Sequence, residues 1–178
     1  MHDAPLTIAD FSAADLTAHL ADLSRLLVSV VAAGASINFV LPYGEADAAR
    51  FWEKKVLPRL EEGGIIMLVA RQGDAIVGSV QLVIDTPPNQ PHRADVAKLI
   101  VDPACRRQGI ARRLMEALEA RALAERRTLI TLDTRTGDAA EPLYAGLGYT
   151  TVGTIPGYAR DPFGSDRLDA TTIMYKAL

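Results

Sequence analysis

Between a strand-like apolar run and an amphipathic stretch the chain reads Val101-Asp-Pro-Ala-Cys-Arg-Arg-Gln-Gly-Ile-Ala-Arg-Arg-Leu-Met, with one glycine and a cluster of arginines where a strand turns into a helix. A helix start attracts anions, because its first N–H groups lack intrahelical partners and lie at the positive end of the helix dipole. Gly109 lets backbone approach a phosphate closely, and Arg106, Arg107 and Arg112 add charge. A diphosphate suits such a turn. A short Arg-Arg-x-Gly stretch by itself is as readily a solvated helix start. The surroundings single this one out: an apolar strand closes on Val-Asp-Pro before it, and Leu114, Met115, Leu118 and Ala122 repeat at helical spacing after it. A dinucleotide fingerprint is not met, since only one of its three glycines is present and the turn follows a late strand. Cys105, the single cysteine, lies beside the turn, where it could accept an acyl group or simply pack.

The elements that position this turn follow from the hydrophobic periods. Leu6 to Ala9 reads as a strand, and Ser12 and Asp15 can cap a helix carrying Leu16, Leu20, Leu23, Leu26 and Leu27 that ends at Gly34. A second helix spans Glu45 to about Leu60, with Ala49, Phe51, Trp52 and Val56 on its buried side. Ile65 to Ala70 and Ala75 to Ile84, joined through Arg71 to Asp74, form an antiparallel hairpin. The proline-rich Asp85 to Arg93 is a loop before the strand Ala94 to Val101. Then the rhythm becomes turn, helix (Ile110 to Glu125), strand (Thr128 to Thr134), helix (Ala139 to Leu147), a βαβα unit with one parallel strand pair. Two strands, about Thr150 to Pro156 and Ala170 to Lys176, close the chain. The expected fold is a mixed α/β sheet of about seven mostly antiparallel strands with helices on both faces, in one domain over residues 1–178.

Composition bounds the partners. With 49% hydrophobic and 23% charged residues over 178 positions the chain is globular, and a net charge of -3 offers no global attraction to nucleic acid or anionic membrane. One cysteine excludes a disulfide framework and a multi-thiolate metal site, so no metal is expected. No apolar run approaches the ~20 residues of a membrane span and no leader is visible, so a cytoplasmic location is expected.

The pattern Arg106-x-x-Gly109-x-Ala111, in its strand-to-helix context, resembles the acyl-CoA pyrophosphate loop of the GNAT superfamily of N-acetyltransferases. Leu143-Tyr144-Ala-Gly-Leu-Gly-Tyr149 resembles the family's L-Y-x-x-L-G-F/Y element, and the element order is similar across nearly the whole chain. Within the family the chain is most similar to the tabtoxin-resistance type, through Gly34 to Ser36, Pro88 to Leu99, Leu132 to Thr134, Ile155 to Ala159 and the terminal Tyr-Lys-x-Leu. The resemblance implies acetyl-CoA as co-substrate, held by Leu99, Ile100, Val101, Arg106, Arg107, Gln108, Gly109, Ile110, Ala111 and Arg112. It also implies that backbone of Leu99 to Val101 polarises the acetyl carbonyl, and that Tyr144 lies by the thioester sulfur as general acid. Where many members carry an asparagine seven residues before the tyrosine, this chain has Gly137, beside Asp138, which could make that contact instead.

A neutral amine must form before it can attack a thioester, so a proton acceptor is needed. Asp95 and Asp133, on strands expected to be neighbours, are the favoured bases, with His92 a third candidate. Their structural alternatives are pairing of Asp95 with Arg93 and of Asp133 with Arg135 or the Thr134 hydroxyl. The acceptor pocket is expected from the loops Ala35 to Gly44, Asp85 to Arg93 and Gly157 to Asp169, which hold Asn38, Tyr43, Asn89, His92, Arg93, Tyr158, Arg160, Asp161, Asp166 and Arg167. This mixture of charge suits a small, zwitterionic, amino-acid-like amine, and the resemblance points to toxin or antibiotic detoxification by direct transfer in a ternary complex. A protein or peptide N-acetyltransferase and a non-catalytic acyl-CoA sensor are the alternatives. A homodimer is admitted, with oligomeric state otherwise open.

Overall fold

The computed structural model describes residues 4–178. Its frame is a seven-stranded sheet built from β1 (Leu6–Phe11), β2 (Ile65–Gln72), β3 (Ala75–Val83), β4 (Arg93–Val101), β5 (Leu129–Arg135), β6 (Thr150–Arg160) and β7 (Leu168–Ala177), ordered β1-β2-β3-β4-β5-β7-β6. Every neighbouring pair is antiparallel except β4 and β5, as the βαβ rhythm requires. That parallel pairing is short, joining Arg93, Ala94 and Asp95 to Leu129, Ile130 and Thr131. Beyond those rungs the two strands part.

Strand alternation divides the core into two layers. In β2, Ile65, Met67 and Val69 face one layer, and Leu68 and Ala70 face the other. The first layer is covered by the N-terminal helices α1 (Ala13–Ala18), α2 (Leu20–Ala32), α3 (Glu45–Phe51) and α4 (Leu57–Glu61), with Leu16, Leu23, Leu27 and Ala48 from the helices and Trp52 from the turn between α3 and α4. The second is covered by α5 (Ile110–Ala124) and α6 (Ala140–Gly146), through Ile110, Leu114, Met115, Leu118 and Tyr144. The expected spacing of Leu114, Met115, Leu118 and Ala122 is that of the buried face of α5.

The expected first helix is in fact two. Ser12 and Asp15 form a capping box, but the chain turns at His19 (ψ 23°), whose ring approaches Asp22, before α2 begins. The expected second helix runs through a widened π turn, Trp52–Val56, between α3 and α4. Pro58 is the cause: it lacks an N–H and its ring crowds the carbonyl one turn back, so the Leu57 N–H bonds to Trp52 O instead. Five strands, β1, β2, β4, β6 and β7, exceed their expected lengths, and β2 and β3 are joined by Gly73 and Asp74 alone. Among the described residues no helix is long and apolar enough to cross a membrane, and no group of His, Cys, Asp and Glu could hold a metal ion.

Candidate active site

The gap left where β4 and β5 diverge is a cavity of about 400 Å³. One wall is the β4 segment Val96 to Val101, and the opposite wall is Asp133 to Arg135, Asp138, Leu143 and Tyr144. Arg106, Arg107 and Ala111 stand at one end, and the α2 terminus with Gly34 to Ile37 at the other. A second cavity of about 220 Å³ under the turn shares Val101, Arg106, Arg107, Ala111 and Leu143 with the first, so the two adjoin.

The turn has the geometry its residues imply. Gly109 is the N-cap of α5 at φ 77°, without a side-chain cap, so the first N–H groups of the helix are not capped from within the chain. A Cβ at Gly109 would meet nothing within 4 Å, which leaves open space over the helix start. Arg107 also takes a left-handed φ of 65°, and Asp102 caps the preceding turn by accepting from the Ala104 N–H at 2.9 Å. Gly109, Ile110 and Arg112 line the smaller cavity; the Ile110 side chain is core, so only its backbone is offered there. Arg112 reaches the Gly146 carbonyl at 3.4 Å and so ties α5 to the end of α6. Gln108 lines neither cavity. Burial and nearby Asp102 push the Cys105 thiol up, which makes it a poorer nucleophile.

The two candidate carboxylates are separated by the divergence. Asp133 lies past the last parallel rung and lines the cavity, where its Oδ2 is 3.1 Å from Thr171 Oγ1. Asp95 sits on that last rung and does not line the cavity; it accepts from both Arg93 Nη1 and Thr131 Oγ1, the ion pair its neighbours offered. His92 and the Asp85 to Arg93 loop lie at the N-terminal end of β4, whereas the cavity opens toward its C-terminal end, the usual ligand side of parallel strands. Of the expected acceptor loops, only the start of Ala35 to Gly44 lines the cavity itself. Asp161, Arg160, Asp166 and Arg167 are bound to one another and to Ser165 within the β6–β7 loop. That loop reaches the segment after α2: Leu41 N donates to Pro162 O at 2.9 Å, and the Phe163 ring packs on Gly34.

Tyr144 is 6% exposed and faces the cavity. Burial, then the negative charges of Asp133 and Asp138, hold its phenol above the ordinary value, so it stays protonated. Asp138 lines the same wall, but its charge is met by Arg135 at 3.1 Å and its Oδ1 accepts from the Ala139 N–H at 2.8 Å. Arg135, named from the sequence as a partner for Asp133, pairs instead with Asp138 and Asp169, and Thr171 and Lys98 were not singled out. A lysine inside the run Ala94 to Val101 was the available signal for the last of these.

A mixed sheet that splits beside a glycine turn, with a buried tyrosine across the split, is the arrangement the resemblance implied. The profile of the Acetyltransferase (GNAT) domain family matches residues 41–157. The chain belongs to the GNAT acetyltransferase family. An uncharacterised N-acetyltransferase from the hisH–hisA intergenic region of Azospirillum brasilense is 34% identical over 128 residues, covering 71% of this chain and 74% of its own. Among solved structures, yncA from Salmonella typhimurium with its cofactor acetyl-CoA superposes with a TM-score of 0.76 at 18% identity, over 97% of this chain and 94% of that one. The ribosomal-protein-alanine N-acetyltransferase from Brucella melitensis gives 0.73 at 22% identity, over 97% and 99%. This GNAT chain is thus an acetyltransferase with the family's fold.

Proposed function

We propose that this enzyme transfers the acetyl group of acetyl-CoA to the amine of a small, amino-acid-like molecule by direct attack in a ternary complex, within one unit formed by the whole chain. The observation that carries the reading is the adjacency of the two cavities, one under the open helix start at Gly109 and the other along the unpaired side of β4 with Asp133 and Tyr144 on its wall. When bound, acetyl-CoA supplies an activated carbonyl and a thiolate leaving group. The Gly109 turn with Arg106 and Arg107 binds its diphosphate, and the free β4 edge at Leu99 to Val101 offers hydrogen bonds to the pantetheine arm and the acetyl oxygen. Asp133 takes the proton of the incoming ammonium. Tyr144 meets the charge that develops on sulfur. The β6–β7 loop closing on Leu41 and Gly34 supports a small acceptor over an extended peptide, and with it the detoxification role of the tabtoxin-resistance type.

The test is coenzyme A release in a screen of small amines and short peptides, run beside calorimetry of acetyl-CoA binding. We expect release with amino-acid-like amines. Gly109→Val, which puts a β-branched side chain at φ 77° and over the helix start, should weaken acetyl-CoA at least about tenfold, or 1.4 kcal/mol. Unchanged affinity in a folded variant would remove the turn from the binding site, and release with peptides alone would replace the acceptor class.

A further inference from the structure

Three charged groups in the cavity have no task in the transfer chemistry; Arg135 and Asp138 pair with each other, and Lys98 is left without an ion-pair partner among the described residues. Its strand is irregular at this point. In β4, Ala94 and Val96 pack toward α5, but after the irregularity Leu99 and Val101 do so, a change from even to odd positions. Lys98 takes up the difference with a left-handed φ of 51°, a conformation lysine rarely adopts. Such a strained position, beside a site, calls for a functional reason.

The bulge sends the side chain to the N-terminal-helix layer, where its ammonium lies 5.4 Å from the centre of the Phe39 ring and 5.7 Å from that of Phe51. These rings hold a cation but accept no ordinary hydrogen bond. On the same face, the flanking rungs of β3 present Ser79 and Gln81, which carry no negative charge. Among the described residues no carboxylate lies within 4.0 Å of the Lys98 ammonium. Asp133 lines the same cavity without pairing with it, and its charge opposes the effect of burial on the ammonium without overcoming it. Burial correspondingly lowers the Lys98 pKa, the mark of an ammonium short of a counter-ion.

From this geometry we propose that Lys98 binds a carboxylate of the acceptor, so that the acceptor is recognised as a zwitterion, with its amine at Asp133 and its carboxylate at Lys98. The inference rests on the acceptor site assigned above. A free α-amino acid, or a molecule that keeps its amine and carboxylate a few bonds apart, is the class of ligand that satisfies both charges in one cavity. The rings of Phe39 and Phe51 fix the ammonium from behind, leaving its donors to the ligand. An amine lacking the carboxylate leaves Lys98 without a counter-ion and binds worse.

The experiment compares the common L-amino acids with their α-carboxamides as acceptors, by coenzyme A release, in the wild type, Lys98→Met and Lys98→Arg. Free acids should exceed their amides in kcat/KM. Lys98→Met should lower kcat/KM for an acid by roughly 30- to 1,000-fold, mainly through KM, and change the matching amide little. Lys98→Arg should recover much of the loss, since arginine still binds a carboxylate but takes up no proton. Amides used as well as acids, or an equal fall for both in Lys98→Met, would overturn the proposal. A second arm needs no substrate. Methionine fills the same space against Phe39 and Phe51 without a charge, so Lys98→Met should keep or raise the melting temperature, by roughly 2–4 °C. A clear fall in melting temperature would make Lys98 a structural part of the aromatic cluster and also overturn the proposal. Failure of every amine to release coenzyme A, with acetyl-CoA still binding, would instead strike the acceptor assignment of the previous subsection, and the melting arm would still judge Lys98.

Discussion

Asp133→Asn should lower turnover by about 10²- to 10⁴-fold, the usual contribution of a positioned general base, while leaving acetyl-CoA affinity in place. The amide has the shape of the carboxylate and its oxygen can still accept from Thr171 Oγ1, so the cavity wall survives the change. What it loses is the ability to take a proton from the attacking ammonium. Asp95→Asn is the matched control, because Asp95 lies one rung short of the divergence and spends its charge on Arg93 and Thr131. Its side chain is 38% exposed, so the ion pair is partly screened, and we expect a melting temperature lower by roughly 2–4 °C with turnover retained. Steady-state kinetics and calorimetry on both variants decide the matter. Normal turnover in Asp133→Asn across pH, or collapse in Asp95→Asn, would exchange their roles.

That contrast shows where residue patterns stop being informative. Both aspartates stand on the two strands that form the parallel pair, and nothing in their types or spacing tells how many rungs the pair has. Pairing ends at Asp95 and Thr131, a distance of two residues from Asp133 on β5, and this small difference separates an ion pair in the sheet from a carboxylate in a cavity. The β2–β3 hairpin, the parallel pair and helices on both faces were legible, because they follow from alternation, helical spacing and the need of a βαβ unit for a crossover, whereas the placing of β7 between β5 and β6 was not. The break at His19 was not legible, since a hydrophobic period does not report local backbone hydrogen bonding, and that at Trp52–Val56 was missed although Pro58 inside the expected helix was a signal for it.

The glycine turn was legible as a helix start: Gly109, between an apolar strand and a helical repeat, is the N-cap of α5 at φ 77°. Lys98 was not legible as a site residue. The run Ala94 to Val101 gives no alternation from which a bulge could be inferred, and the lysine's direction depends on the left-handed turn of its own backbone. The acceptor loops were misjudged at one end because a sequence does not say which end of β4 a loop will crowd. Asp85 to Arg93 lies at its start, and the ligand side is its finish.

Tyr144→Phe should lower turnover by roughly 10- to 1,000-fold, at or just below the range of a single general-acid contribution. The phenol is held above its ordinary value of 10.0 by burial and by Asp133 and Asp138, whereas a free thiol titrates near ~8.5. Complete proton transfer from Tyr144 to the departing thiolate therefore runs uphill, and its contribution is a hydrogen bond that strengthens as charge collects on sulfur. Loss of that bond slows transfer without abolishing it, because a thiolate can leave unaided. The ring remains after the substitution, still tilted against Tyr149 with centroids 5.7 Å apart, so acetyl-CoA affinity and melting temperature should hold. The pH profile adds a further discriminator. A phenol whose pKa is raised stays protonated throughout the working range, so the alkaline limb of the wild-type profile should not originate in Tyr144 and should persist unchanged in the Phe variant. A fully active Phe variant, or one in which the alkaline limb disappears, would overturn this role; in the first case Tyr144 is a packing ring on α6, and Tyr144→Ala would act mainly on melting temperature.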